Sequence, residues 1–310
     1  MEVGSGGLRV TAEMEELMRL PGYINNASGG QKLRDLYQKN SMSFRSDLLN
    51  RFAFMCYLGI LEEVVQMVTA GVAPDLLSTE TPYKFGYATL VVAGSQRACV
   101  RPIGTDYAAV MNFLLSRGTP PDVEDIVGYT ALHHATMNSN ARPDLARILL
   151  QKGANVNHRD RYGGVPLMGA FMNNQIPSID LLMEFGADLD IMDADNATPN
   201  GFFLRCGPQV TAAVTKWIRK RAGEAAPMDE KKCDSCAKSD LPLKRCSKCH
   251  AAQYCSTSCQ RTHWPTHKRT CQPFTPSNTV SVRPCYDDIG DLMPMAAFTR
   301  RLINQANRKQ

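Results

Sequence analysis

The sequence predicts a mostly α fold: a solenoid of short helical repeats, then a small module whose stability rests on bound metal. Two observations predict it. Through the middle of the chain a set of landmark residues recurs at spacings of 35 and 33 residues. A period of this size marks stacked units, each too small to bury its own apolar face. Towards the C-terminal end, seven of the eleven cysteines fall within residues 233–271. A dense Cys/His cluster in a chain with no visible secretory signal reads as a metal site rather than a disulfide scaffold.

Residues 1–43 hold two short amphipathic segments, 13–20 and 32–39, expected to cap the stack. Repeats are expected over residues 44–222, about five in number. The clearest begin at Gly128 (Gly-Tyr-Thr-Ala-Leu-His-His-Ala) and Gly163 (Gly-Gly-Val-Pro-Leu-Met-Gly-Ala), with a degraded copy at Asn196 (Asn-Ala-Thr-Pro). A second landmark keeps the same phase: Gly-Ala-Asn-Val-Asn from Gly153 and Gly-Ala-Asp-Leu-Asp from Gly186. Each follows an amphipathic stretch, 144–152 and 178–185.

The local chemistry fits. Thr130 is placed to cap free N–H groups at a helix start, and Pro166 suits a first helical position, where no N–H is needed. Gly153 and Gly186 supply the left-handed residue that ends a helix; Asn196 tolerates that conformation where it replaces a turn glycine. Weaker copies extend upstream, with helices expected at 46–57, 61–70, 86–93 and 106–117 and an inserted loop at 97–104. Downstream, 198–206 and 208–221 form a last pair whose polar end, 216–221, suits a capping repeat.

This pattern resembles the ankyrin repeat. The resemblance implies a protein-binding scaffold, and it gives His133 a structural task, bonding to the neighbouring turn, rather than a catalytic one. His134 and His158 read as surface residues without a set partner. Arg159, Asp160, Arg161 and Tyr162 read equally as a solvated turn or as a partner contact.

A linker is expected at 223–232, marked by small residues and proline at 222–227. Eight candidate zinc ligands then fall in four pairs: Cys233 and Cys236, Cys246 and Cys249, Cys255 and Cys259, His267 and Cys271. A C-x2-C turn brings two thiolates to one ion at about 2.3 Å, and four ligands close a tetrahedral site with no position left for catalysis. Ligands four residues apart are expected to share a helix face. His263 is a rival to His267, but Pro265, read as starting a new helical turn, would leave His263 before the break.

The string Cys246-Ser-Lys-Cys249, Gln253-Tyr-Cys-Ser256, Cys259-Gln260, Trp264, His267 and Cys271 resembles the MYND finger over residues 233–271. The resemblance implies interleaved pairing: Cys233, Cys236, Cys255 and Cys259 on one Zn²⁺, Cys246, Cys249, His267 and Cys271 on the other. It also implies a protein-interaction module, with proline-containing peptides as partners and Ser247, Gln260 and Trp264 in the peptide groove. The tail, 272–310, is expected to open as a Pro/Ser-rich linker and to hold an amphipathic helix at 291–307.

Composition narrows the function. No run of 18 apolar residues offers a membrane span, and a reducing cytosol or nucleus is the expected location. The formal charge of +5 falls to about +2 once seven thiolates bind two zinc ions, which weakens a case for nucleic acid. No nucleophile elbow, phosphate loop, dinucleotide fingerprint or zinc-protease motif occurs. The expected function is a non-catalytic zinc-binding adaptor without a small-molecule substrate. The competing readings are a zinc-dependent nucleic-acid-associated regulator and, less favoured, part of a lysine methyltransferase that carries a MYND finger.

Overall fold

A computed structural model describes residues 4–98, 101–224, 232–239, 241–249 and 252–273. Cys99, Cys285, His250, most of the expected linker and the expected helix at 291–307 lie outside these. The chain divides into two units, residues 1–226 and 227–310.

In the first unit, α1 (Ala12–Met18) and α2 (Gly30–Ser41) precede five helix pairs. These are α3 (Arg51–Leu58) with α4 (Leu61–Thr69), α5 (Tyr87–Arg97) with α6 (Tyr107–Ser116), and α7 (Ala131–Thr136) with α8 (Pro143–Gln151). They continue with α9 (Pro166–Met172) and α10 (Ile176–Glu184), then α11 (Pro199–Phe202), a 3₁₀ turn and α12 (Pro208–Arg221). First helices pack on first helices and second on second, so α5 contacts α3 and α7, and α10 contacts α8 and α12. One continuous apolar cluster results, from Leu8 to Val214. Hydrophobic burial between neighbours, rather than within any one pair, holds the stack.

The helix ends follow the predicted chemistry. Pro166 opens α9. Gly153 and Gly186 sit at φ 90° and 89°, and Asn196 at φ 61°. One element differs from expectation: α5 runs through Arg97, so the helix occupies what reads as the start of a loop. Gly94 permits it, because a Cβ there would lie 1.7 Å from the Tyr57 carbonyl oxygen. The polar look of Ser95 and Gln96 hid this helix; Ser95 is buried, its hydroxyl bonded to the Val92 carbonyl.

The turns between repeats are held by carboxylates that the sequence reading missed. Asp125 accepts from the N–H groups of Val127 and Tyr129 at 2.9 and 3.0 Å. Asp160 does the same for Tyr162 and Gly164, both at 2.8 Å. Asp193 does so for Asp195 and Ala197 at 2.8 and 2.9 Å. Each lies three residues before its turn Gly or Asn, so the signal was present at the repeat period. Successive turns are stitched by Arg161 N–H to the Val127 carbonyl and Ala194 N–H to the Tyr162 carbonyl, both 2.9 Å.

His133 is fully buried, and its Nδ1 accepts from the Thr130 N–H at 3.2 Å while the Thr130 side chain caps the helix, a capping box. Burial, with His158 and His134 nearby, holds its pKa well below the ordinary value. His134 and His158 are not free surface residues: they meet Asp125 at 3.1 Å and Glu124 at 3.0 Å.

The N-terminal segment lies along these turns rather than capping one end. Arg161 donates to the carbonyls of Met18 and Gly22, at 2.9 and 2.5 Å, and to that of Leu20. Ile24 N–H donates to the Arg161 carbonyl at 3.0 Å, and Asn26 N–H to Asp195 at 2.8 Å. Arg34 stacks 3.9 Å from the Tyr162 ring centre and Arg159 4.1 Å from that of Tyr23. The Tyr37 hydroxyl donates to Asp125. Leu8, Met14, Ile24, Leu33 and Tyr37 are buried. Residues 159–162 are therefore neither a solvated turn nor an open contact: Asp160 and Tyr162 are buried, and both arginines are engaged by the chain itself.

Removing the Arg161 bonds to three carbonyls with Arg161→Ala should cost the stack about 1–3 kcal/mol, and Tyr37→Phe about 1–2 kcal/mol. Denaturant unfolding of the full chain measures both; an unchanged midpoint would show the segment to be loosely held. A histidine whose folded pKa is depressed contributes stability present above its unfolded pKa of about 6.5 and lost as pH falls below it. Asp160, pushed up to about 7 by burial, has the opposite slope, since its stability is lost as pH rises towards 7. His133→Asn should therefore remove only the acid-side loss. Relative to the parent, its unfolding midpoint should rise between pH 6.5 and 5, and a parallel pH profile would contradict this.

Candidate metal centres and an adjoining groove

Among its described residues, the second unit has almost no apolar interior. Its buried cluster is Cys233, Cys246, Ala252, Tyr254 and Cys271. Strands β1 (Lys244–Arg245) and β2 (Gln253–Tyr254) pair antiparallel, with Lys244 opposite Tyr254, and α13 (Thr257–His267) follows. Asp234 ties the N-terminal turn to β2 by accepting from the Gln253 N–H at 2.7 Å.

The eight candidate ligands gather into two groups of four. Cys233, Cys236, Cys255 and Cys259 form one; Cys246, Cys249, His267 and Cys271 form the other, the ligand atoms of each lying within 4.8 Å of one another. A tetrahedral zinc ion with bonds of about 2.3 Å to sulfur and about 2.0 Å to nitrogen sets sulfur atoms about 3.8 Å apart and sulfur and nitrogen about 3.5 Å apart. The observed separations are 3.6 Å for Cys236 to Cys255, 3.5 Å for Cys255 to Cys259 and 3.9 Å for Cys246 to Cys271. Cys249 Sγ lies 3.5 Å from His267 Nε2. Thiolate and imidazole donors at these spacings fit two zinc ions. Such closed sets supply folding energy and charge neutralisation, not an open coordination position.

Two local expectations are corrected. Ser256 caps α13 by accepting from the Cys259 N–H at 3.1 Å, so Cys255 precedes the helix rather than sharing its face with Cys259. Pro265 does not start a new turn, since α13 runs through it and ends at His267. Cys271 follows on a turn in which Thr270 N–H donates to the His267 carbonyl at 3.0 Å. Pro265 is tolerated because its missing N–H removes one bond near the helix end. His263 stays on the helix, its Nδ1 3.1 Å from the Tyr254 hydroxyl and its ring stacked 6.0 Å from that of His267. Burial pushes the Tyr254 phenol up to about 12, which keeps its proton in place for that contact.

Beside the second group lies a cavity of about 320 Å³ lined by Cys246, Ser247, Lys248, Gln260, Arg261 and Trp264. The turn between Cys246 and Cys249 forms one wall and α13 the other. Ser247, Gln260 and Trp264 thus share one groove, and Trp264 is 40% exposed.

The first group is the more open, with Cys236 exposed and only Cys233 buried, whereas Cys246, His267 and Cys271 are buried in the second. Limiting chelator should strip the first group before the second, and excess chelator should unfold the finger alone. Hydrogen exchange on the full chain is the readout: residues 232–273 should approach unfolded rates while residues 51–221 keep their protection. Retained protection in the chelated finger would contradict this.

Comparison with known proteins agrees with this geometry. Residues 233–271 match the MYND finger family and residues 98–193 match ankyrin repeats in three copies. The histone-lysine N-methyltransferase SMYD3 of Homo sapiens is 50% identical over 40 residues, 13% of this chain and 9% of that protein. The E3 ubiquitin-protein ligase KEG of Arabidopsis thaliana is 36% identical over 91 residues, 28% of this chain and 6% of its own. A putative ankyrin repeat protein of Rickettsia bellii is 32% identical over 98 residues, 30% of this chain and 27% of its own. Each match spans a small part of the relative. The chain carries ankyrin repeats and, after them, a MYND finger with two Cys/His groups suited to zinc, two protein-interaction modules in one polypeptide.

Proposed function

We propose that this chain is a non-catalytic adaptor whose finger holds proline-containing peptides in the groove beside its second zinc group, in a reducing cytosol or nucleus. The observation that carries the reading is the convergence of Ser247, Gln260 and Trp264 on one cavity. An indole held on a helix offers a flat apolar face at low entropic cost, and an extended proline-rich segment is already ordered before it binds. Gln260 supplies an amide for the peptide backbone. Zinc would be held by Cys233, Cys236, Cys255 and Cys259 in one site and by Cys246, Cys249, His267 and Cys271 in the other. Its task is to fix the turn and the helix that form the groove walls.

The methyltransferase reading is weaker. The likeness to SMYD3 covers 9% of that enzyme, and the residues before the finger are helical repeats. A nucleic-acid reading draws only on the finger's basic character: nine Lys/Arg and two Asp over residues 231–271. It predicts binding that collapses as salt rises.

Trp264→Ala should weaken binding of a proline-containing peptide at least tenfold, as for a central interface anchor, with two zinc equivalents retained. Titration of labelled peptides into the zinc-loaded full chain measures this. Equal affinity in the variant would remove the groove as the site.

A further inference from the structure

The groove is asymmetric in charge. Among the described residues that line it, two carry a positive charge, Lys248 on the turn wall and Arg261 on the helix wall, and none is a carboxylate; Cys246 belongs to the metal group behind the turn. Both cations are exposed, and neither forms an ion pair with a described residue, unlike Lys216 or Arg147 in the stack. Among the described residues of the finger, Asp234 is the single carboxylate, and it is spent on the Gln253 N–H. Two zinc ions with seven thiolates and a histidine remove about three positive charges, which still leaves the finger basic. The groove therefore has an apolar floor at Trp264 and, on each wall, a cation with no ion-pair partner among the described residues.

Resting on the peptide reading above, we propose that the groove selects acidic proline-containing peptides, with a Glu or Asp within two residues on either side of the proline that covers Trp264. A polyproline II segment turns about 120° and rises about 3.1 Å per residue, so when one proline faces the floor the residues one and two positions away on either side turn towards the two walls. A phosphate backbone is the less favoured occupant. It would use the same two cations, but it leaves the indole and the Gln260 amide without a proline or a peptide backbone. Exposed ion pairs are individually weak and screened by salt, so the charge sets preference among peptides rather than the bulk of affinity.

The test uses the zinc-loaded full chain and three labelled peptides with one proline core, flanked by Glu, Gln or Lys. At low salt the Glu-flanked peptide should bind roughly tenfold tighter than the Gln-flanked one, which corresponds to two exposed ion pairs, and the Lys-flanked peptide should bind weakest. The gap should close in Lys248→Gln/Arg261→Gln. In Lys248→Glu/Arg261→Glu the order should invert in favour of the Lys-flanked peptide, a gain that a misfolded variant cannot show. Equal affinity for Glu- and Gln-flanked peptides would overturn the acidic preference while leaving the proline reading intact. Failure of all three peptides would remove both. Tighter binding of a short single-stranded oligonucleotide, lost in the same charge-reversed variant, would overturn the proposal in favour of a phosphate ligand.

Discussion

Three carboxylates, Asp125, Asp160 and Asp193, hold the spacing of the repeat unit. Each takes two backbone N–H groups that a tight turn would otherwise leave without a partner as it loses water. With the turns fixed, α7 and α9 are delivered at a constant distance from their neighbours, and the apolar faces meet. The finger solves the same difficulty with another anion. Its thiolates, gathered in fours, stand in for an interior that amounts to a handful of buried residues. In both units acceptor or ligand side chains placed where the backbone bends organise segments that could not bury a core by themselves.

The parts of the fold governed by local spacing were legible. Thr130, Pro166, Gly153 and Asn196 each announced a helix end by a conformational or hydrogen-bonding property that belongs to the residue itself. The ligand pairs were legible for the same reason, since a two-residue gap between cysteines has few uses. What could not be read depended on contacts between distant residues. Nothing near Arg161 reveals that its guanidinium will be enclosed by carbonyls 139 to 143 residues away. The pairings of His134 with Asp125 and of His158 with Glu124 cross from helix or turn to another segment. α5 was cut short because Gly94 and Ser95 look like loop residues until α3 is placed against them.

In the finger, the eight candidate ligands were legible by their spacing and gather into two groups, but how the backbone carries them was not. The expectation of shared helix faces failed at Cys255 and at Cys271, which lie just outside the two ends of α13. The metal groups thus clamp the helix from beyond both termini. Between them lie half-buried Gln260 and exposed Arg261 and Trp264, which a helix held at its ends by metal would present rigidly. Along the eleven positions of α13, Cys259 and His267 bracket Gln260, Arg261 and Trp264, and the Trp264 ring lies 5.8 Å from that of His267, so the groove rests directly on a metal-group residue.

The N-terminal strand of contacts changes how this repeat array must be assembled. A plain solenoid grows by adding each unit to the last, because every contact is sequentially near. Here the Tyr37 hydroxyl bonds Asp125, the Ile24 N–H bonds the Arg161 carbonyl and the Asn26 N–H bonds Asp195, partners that lie up to 169 residues later in the chain. At about 5–20 residues per second on a ribosome, those groups wait about 4 to 34 s for their partners to be synthesised. The long loop closure also slows the final docking step. This array carries its own delayed keystone, which can seat only after the turn at Asp195 has been made.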